Sequence, residues 1–225
     1  MELVTKPLIV EQFVPLSESF AVKGEMTAIF LHHTAGWHNP SAVISAWARD
    51  QRGAVGTKFV IGGNDPVDGS NEWDGKLFQA CQDGRNLYHL GAGPMSAHIH
   101  SLGVELCSFG GLRSGKTYVN TNVLPEQRVK LSAPFRGYTE FERYTDAQLV
   151  TLRDLLLHVS RVHGINLKDG LQPLISKYGA KAFDRAVTCD KDSRYRGILS
   201  HTNVRKDKSD VAPQQELMDM IMSFS

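Results

Sequence analysis

The chain has 225 residues, 41% of them hydrophobic and 22% charged, which is enough for one well-filled globular core and excludes a disordered chain. A formal charge of +1 excludes a dominant nucleic-acid or acidic-membrane surface, so the basic residues clustered from Arg113 to Arg136 and from Arg194 to Lys208 read as solvated faces. No segment is apolar enough to span a bilayer, and Met1 to Phe20 is broken by Glu2, Lys6, Glu11 and Glu18, unlike a secretory signal; with three widely spaced cysteines, Cys81, Cys107 and Cys189, the expectation is a cytoplasmic location.

Ala28 to Leu31 is continuously apolar, as in a strand buried on both faces, and it runs into His32 and His33. Asn39-Pro40-Ser41 then starts a helix, with Val43, Ile44 and Trp47 at helical spacing before Arg52-Gly53 stops it. Strands are predicted from Thr57 to Ile61 and from Gly75 to Cys81, separated by the turn-rich stretches Asn64-Asp65-Pro66 and Asp68-Gly69-Ser70-Asn71. Leu102 to Cys107 is a further apolar run, interrupted by Glu105.

Residues 110–144 are rich in Gly, Pro, Thr, Asn and charge, and read as a long excursion with at most short strands. Thr145-Asp146-Ala147-Gln148 matches a capping box, and Leu149, Leu152, Leu155, Leu156, Val159 and Val162 follow a helical stripe that ends at Gly164. One or two helical turns are predicted within Gln172 to Val187. Pro213 is expected to open a last helix carrying Leu217, Met218, Ile221 and Met222 on one side. Strands alternating loosely with helices predict an α/β or α+β fold around a central mixed sheet.

The chemistry-bearing residues lie far apart in sequence. Successive strand side chains face opposite ways, so only one of His32 and His33 can reach a given site; alternation does not say which. Near the other end of the chain His201 precedes Lys208-Ser209-Asp210, where Lys208 and Asp210 share a face if the segment is extended. One imidazole joined to an imidazole and a carboxylate from elsewhere is a common ligand set for catalytic zinc, with a fourth position left open. Read alone, Arg205 to Asp210 is equally a charged surface loop, and Glu105 is equally the wet face of an edge strand. If Glu105 is buried, its cost of several kcal/mol argues for pairing or for a role as general base.

His98 and His100, at alternate positions, form a rival ligand pair. His158 and His163 read as ordinary residues of the long helix. His38 and His89 read as loop residues within reach of a substrate.

Taken in order, Phe30-Leu31-His32-His33-Thr34-Ala35-Gly36, then Ser101-Leu102-Gly103-Val104-Glu105-Leu106, then His201 with Lys208-Ser209-Asp210, resemble the zinc-dependent N-acetylmuramoyl-L-alanine amidases of the type-2 family. That family includes bacteriophage endolysins, bacterial recycling amidases and peptidoglycan recognition proteins. The resemblance runs from Thr27 to the C-terminus and is loose over 110–144 and 172–196. It implies a single amidase domain over 1–225, with 110–144 variable within the family, and a zinc groove on one face of a mixed sheet.

The resemblance further implies zinc (Zn2+) on His32, His201 and Asp210, His33 in support, Glu105 as catalytic base and Lys208 at the oxyanion. The implied reaction is cleavage of the amide between N-acetylmuramic acid and L-alanine in peptidoglycan, by a monomer with no nucleic-acid partner and no stable membrane insertion. A lytic, phage-endolysin-like role is the first expectation; a non-catalytic peptidoglycan-binding module and a cytosolic muropeptide-recycling amidase are the alternatives. Two departures stand out. Some phage members have Cys where this chain has Asp210, and many members have Tyr near the position of Thr57.

Overall fold

Six uninterrupted buried residues, Ala28–His33, form a central strand of the computed structural model, which describes residues 7–22, 24–91, 95–192 and 194–225. Glu2 and Lys6, used above in reading the N-terminus, lie outside the described residues. In chain order the elements are β1 (Ile9–Glu11), β2 (Phe20–Ala21), β3 (Ala28–His33), α1 (Pro40–Trp47), β4 (Phe59–Ile61), β5 (Leu77–Gln79), β6 (Arg85–Asn86), α2 (Met95–Ile99) and β7 (Ser101–Leu106). Then come β8 (Gly111–Leu112), β9 (Arg128–Phe135), β10 (Tyr138–Glu142), α3 (Asp146–His163), α4 (Leu171–Tyr178), β11 (Gly197–Ser200) and α5 (Gln215–Met222).

The central sheet has the order β1-β5-β4-β7-β3-β11, parallel throughout except for the antiparallel pair β4 and β5. It is the mixed sheet expected from the sequence. Helices cover both faces. Ile29, Leu31, Leu102, Val104, Phe59, Ile61 and Ile198 pack with the apolar stripe of α3 and with α4 and α5. On the opposite face, Val60 and Phe78 pack with Ile44 of α1, while Ala28, Phe30 and Leu199 pack with Ala97 of α2. This division assigns even and odd positions of β3 to different layers.

Local signals set the helix ends. The Asn39 side chain accepts from Ala42 N at 3.2 Å with Pro40 in the first turn, and α1 closes at Trp47, short of Arg52. Thr145 and Gln148 form the reciprocal capping box, and Gly164 ends α3 in the left-handed region at φ 69°. Val162 and Met222, on the predicted apolar sides of their helices, are exposed; each lies in the last turn of its helix. The Gln172–Val187 prediction resolves into α4 and a 3-10 turn, Gly179–Asp184.

Residues 110–144 depart furthest from the long excursion with at most short strands that is expected from the sequence. β9 is eight residues long and pairs antiparallel with β10, which pairs with β8, so the segment builds a three-stranded sheet. Phe135, Phe141 and Tyr144 from this region are fully or nearly fully buried in the main core. Among the described residues no helix is long and apolar enough to cross a membrane.

Candidate metal centre

Register brings the distant motifs together. β3 and β7 pair so that His32 stands opposite Glu105, which places both side chains on the same face. β11 pairs in parallel with β3, Ser200 opposite Leu31, so the next residue, His201, emerges beside His32. The turn that follows is pinned: Asn203 Oδ1 accepts from Ser200 N at 2.9 Å, and its amide donates to Ala182 O and Arg185 O at 2.9 and 2.8 Å. Thr202 N donates to Asp210 O at 3.2 Å, returning the Lys208–Asp210 segment to the site.

The result is a small triangle of potential ligand atoms. His32 Nδ1 lies 3.1 Å from His201 Nδ1 and 3.1 Å from Asp210 Oδ2, and His201 Nδ1 lies 2.9 Å from the same oxygen. All three residues are less than a tenth exposed. Among the described residues they are the group of histidine and carboxylate side chains placed to hold one metal ion. Ligands bonded at about 2.0–2.1 Å around a tetrahedral zinc stand roughly 3.3 Å from each other, so two nitrogens and one oxygen at these spacings fit such an ion with little movement.

His33 is on the other face of β3. Ala212 N donates to the Tyr144 hydroxyl at 3.0 Å, and that hydroxyl is hydrogen-bonded to His33 Nδ1 at 3.0 Å. The bond to Tyr144 thus engages one imidazole of the pair, which still lines the edge of the cavity described below, while the other joins the ligand cluster.

Electrostatics set the protonation states. Burial, followed by the neighbouring His201, lowers the pKa of His32 to about 4 despite Asp210 beside it. Burial alone would raise the Asp210 carboxyl, but the adjacent His201 and His32 imidazoles hold it well below the usual carboxylate range. Glu105 moves the opposite way: burial and the Asp210 charge push it well above the ordinary glutamate value, partly offset by Lys208 and Thr57. β7 is central, between β4 and β3, and Glu105 is only 9% exposed, so the edge-strand reading is excluded.

These residues line a cavity of about 670 Å³, which also takes in Lys208 and extends past Trp47, Arg52, Thr57 and Tyr88. Lys208 and Asp210 both line it, but so do Asp207 and Ser209, so it is the turn after β11 and not strand alternation that brings them there. The Thr57 hydroxyl donates to Phe59 O at 2.9 Å, and the tyrosine lining this cavity is Tyr88, which sits in an irregular stretch whose sequence has no periodic pattern to mark it.

Two histidine expectations change. His98 is in helix α2, not in an extended segment; it pairs with Gly91 O at 3.2 Å while His100 Nδ1 pairs with Glu25 O at 2.7 Å, so the two do not form a ligand pair. His89 is in a loop as expected, but it is buried against His32, its Nδ1 3.2 Å from His32 Nε2, and it supports that imidazole from behind. Burial and the imidazoles of His32, His98 and His201 lower its pKa well below the usual value. His38 instead pairs with Asp65 at 3.4 Å.

No protein-family model matches this chain, and no curated protein matches it. Among solved structures it is similar to the catalytic domain of XlyA, with 10% identity over 91% of this chain and 90% of that one at a TM-score of 0.48. It is also similar to wild-type Drosophila PGRP-LB, with 14% identity over 96% and 95% at a TM-score of 0.48, and to Staphylococcus aureus hydrolase AmiA in complex with its ligand, with 11% identity over 97% and 83% at 0.46. Likenesses at this level assign neither an activity nor residue roles.

Proposed function

We propose that this protein is a zinc-dependent amidase that cleaves the bond between N-acetylmuramic acid and L-alanine in bacterial peptidoglycan. The observation that carries the reading is the convergence of His32, His201 and Asp210 within 3.1 Å of one another at a cavity that Glu105 and Lys208 also line. A bare binding module has no need to bury Glu105 beside such a cluster at a cost of several kcal/mol. The choice of amide follows from the motif resemblance of these same residues.

Zinc at this position would supply Lewis-acid polarisation of the scissile carbonyl and make water nucleophilic near neutral pH. Glu105, its pKa raised by burial, accepts a proton from the attacking water and passes it to the alanine nitrogen as the C–N bond breaks. The Lys208 ammonium faces the charge that develops on the carbonyl oxygen. Asp210 stays ionised throughout and holds His201 by a 2.9 Å contact. The products are the lactyl carboxylate and a peptide with a free L-alanine amine.

Digestion of purified peptidoglycan tests this directly. New L-alanine amino termini without new reducing sugar ends are expected, with activity lost on chelation and restored by zinc. New reducing ends would overturn the bond assignment. Parallel assays on intact sacculi and on soluble muropeptides test the lytic role, since a recycling enzyme would neglect the polymer.

A further inference from the structure

His32 is held from behind by a hydrogen-bond chain whose direction is fixed at its far end. The Ser101 hydroxyl donates to Ala97 O at 2.6 Å. A serine has one hydroxyl proton, so toward His89 Nε2, 3.1 Å away, Ser101 Oγ is the acceptor and His89 Nε2 carries the proton. His89 is buried, with the His32 and His98 rings edge-on at 5.4 and 5.6 Å; a neutral imidazole with its proton on Nε2 offers Nδ1 as an acceptor. The group 3.2 Å from that nitrogen is His32 Nε2, which must donate.

We propose that His89, anchored by Ser101, is a positioning residue that holds His32 with its proton on Nε2, so that the Nδ1 lone pair points to the His201–Asp210 cluster ready to bind a cation. The inference rests on the metal reading of this site. Its consequence is visible in the triangle: His32 Nδ1 then faces Asp210 Oδ2 at 3.1 Å, acceptor against acceptor, a contact that a shared cation relieves. His201 lacks the same device, because its Nε2 is buried with no hydrogen-bond partner among the described residues.

Gly103 makes room for the chain. A Cβ there would come within 2.7 Å of Thr57 Cγ2 and 2.9 Å of His89 Cγ, so the missing side chain between Ser101 and Glu105 is what lets the His89 ring lie against β7. The Ser-x-Gly-x-Glu stretch thereby supplies an anchor, a slot and a base on one face of one strand.

The direct test is the tautomer of His32 in metal-free wild-type protein at pH 8, read from long-range nitrogen–proton NMR correlations. A proton on Nε2 is expected; a proton on Nδ1 would overturn the proposal. Zinc affinity, measured by competition with a chromogenic chelator, adds the variants: His89→Leu is expected to weaken zinc binding by about 10- to 100-fold. His89→Asn, whose amide oxygen takes over the acceptor role, is expected to stay within a few-fold of wild type. Wild-type zinc affinity in folded His89→Leu protein would also overturn it. The tautomer measurement needs no metal, so it decides the role of His89 separately from whether zinc or peptidoglycan is the right ligand.

Discussion

Glu105 shows how much a single residue can reveal. It interrupts an apolar run, and a carboxylate in a central strand is tolerated only where something uses it or pairs with it. Its neighbours, Asp210 and Lys208 across the cavity and Thr57 from the segment before β4, pull its pKa in opposite directions, and burial decides the outcome upward. Replacing Glu105 by Gln keeps the shape and removes the base. Zinc content by atomic absorption should stay at the wild-type level while hydrolysis falls about 10²- to 10⁴-fold, the range for loss of a general base. Loss of zinc in that variant would instead assign Glu105 to the ligand set. The two histidines beside it were less legible: alternation showed that only one reaches the site, and nothing local distinguishes His32 from His33.

At the scale of elements, the segment 110–144 and the start of α3 buttress the loop that follows β7. Gln148, the partner in the capping box, also donates to Cys107 O at 3.0 Å, tying the first turn of α3 to the end of β7. Glu142, at the end of β10, accepts from Phe109 N at 2.5 Å and from the Ser108 hydroxyl at 3.3 Å. Burial raises its pKa to about 7 from an ordinary value of 4.5. The folded state therefore keeps a proton that the unfolded chain releases, and this carboxyl costs stability progressively as pH rises from about 4.5 to about 7. Glu142→Gln retains an acceptor for Phe109 N and removes that cost, so its stability relative to wild type should grow across this window by an amount on the order of 3 kcal/mol. Urea denaturation of both proteins at pH 5 and pH 7.5 measures it, and a pH-independent difference would refute the assignment.

The same segment carries little local pattern. Gly, Pro and charged residues dominate 110–144, and β9 buries only part of its surface: Val129 and Leu131 lean on the core while Lys130 between them is exposed. The apolar positions of β9 are a weak strand signal beside so many turn formers. The capping box, the Asn39-Pro40 start and the α3 stripe were clear because each depends on groups within one or two turns of chain.

Across the whole molecule, the ligand set ties an early strand to the last part of the chain, since His32 lies in β3 and both His201 and Asp210 follow β11. A cation bound there stabilises only the folded chain. With free zinc at 100 times its dissociation constant the gain is about 2.7 kcal/mol, so chelation should lower the denaturation midpoint correspondingly, and His32→Ala should abolish the difference between zinc-loaded and chelated samples. Equal midpoints for wild type with and without chelator would argue against the metal site.

Short-range pattern was sufficient for the strand entering His32 and for the helix starts, because each is written in spacing along a few residues; it left Glu105 open between a wet edge strand and a buried site, and Lys208 and Asp210 open between a surface loop and a site. What only the tertiary structure decided was which imidazole is free and what stands behind it. The parallel register of β3 with β7 and β11 sets His32 beside Glu105 and His201, the bond to Tyr144 engages His33, and the slot at Gly103 admits His89. Those outcomes depend on strands far apart in sequence choosing their neighbours and faces, and no local periodicity carries that information.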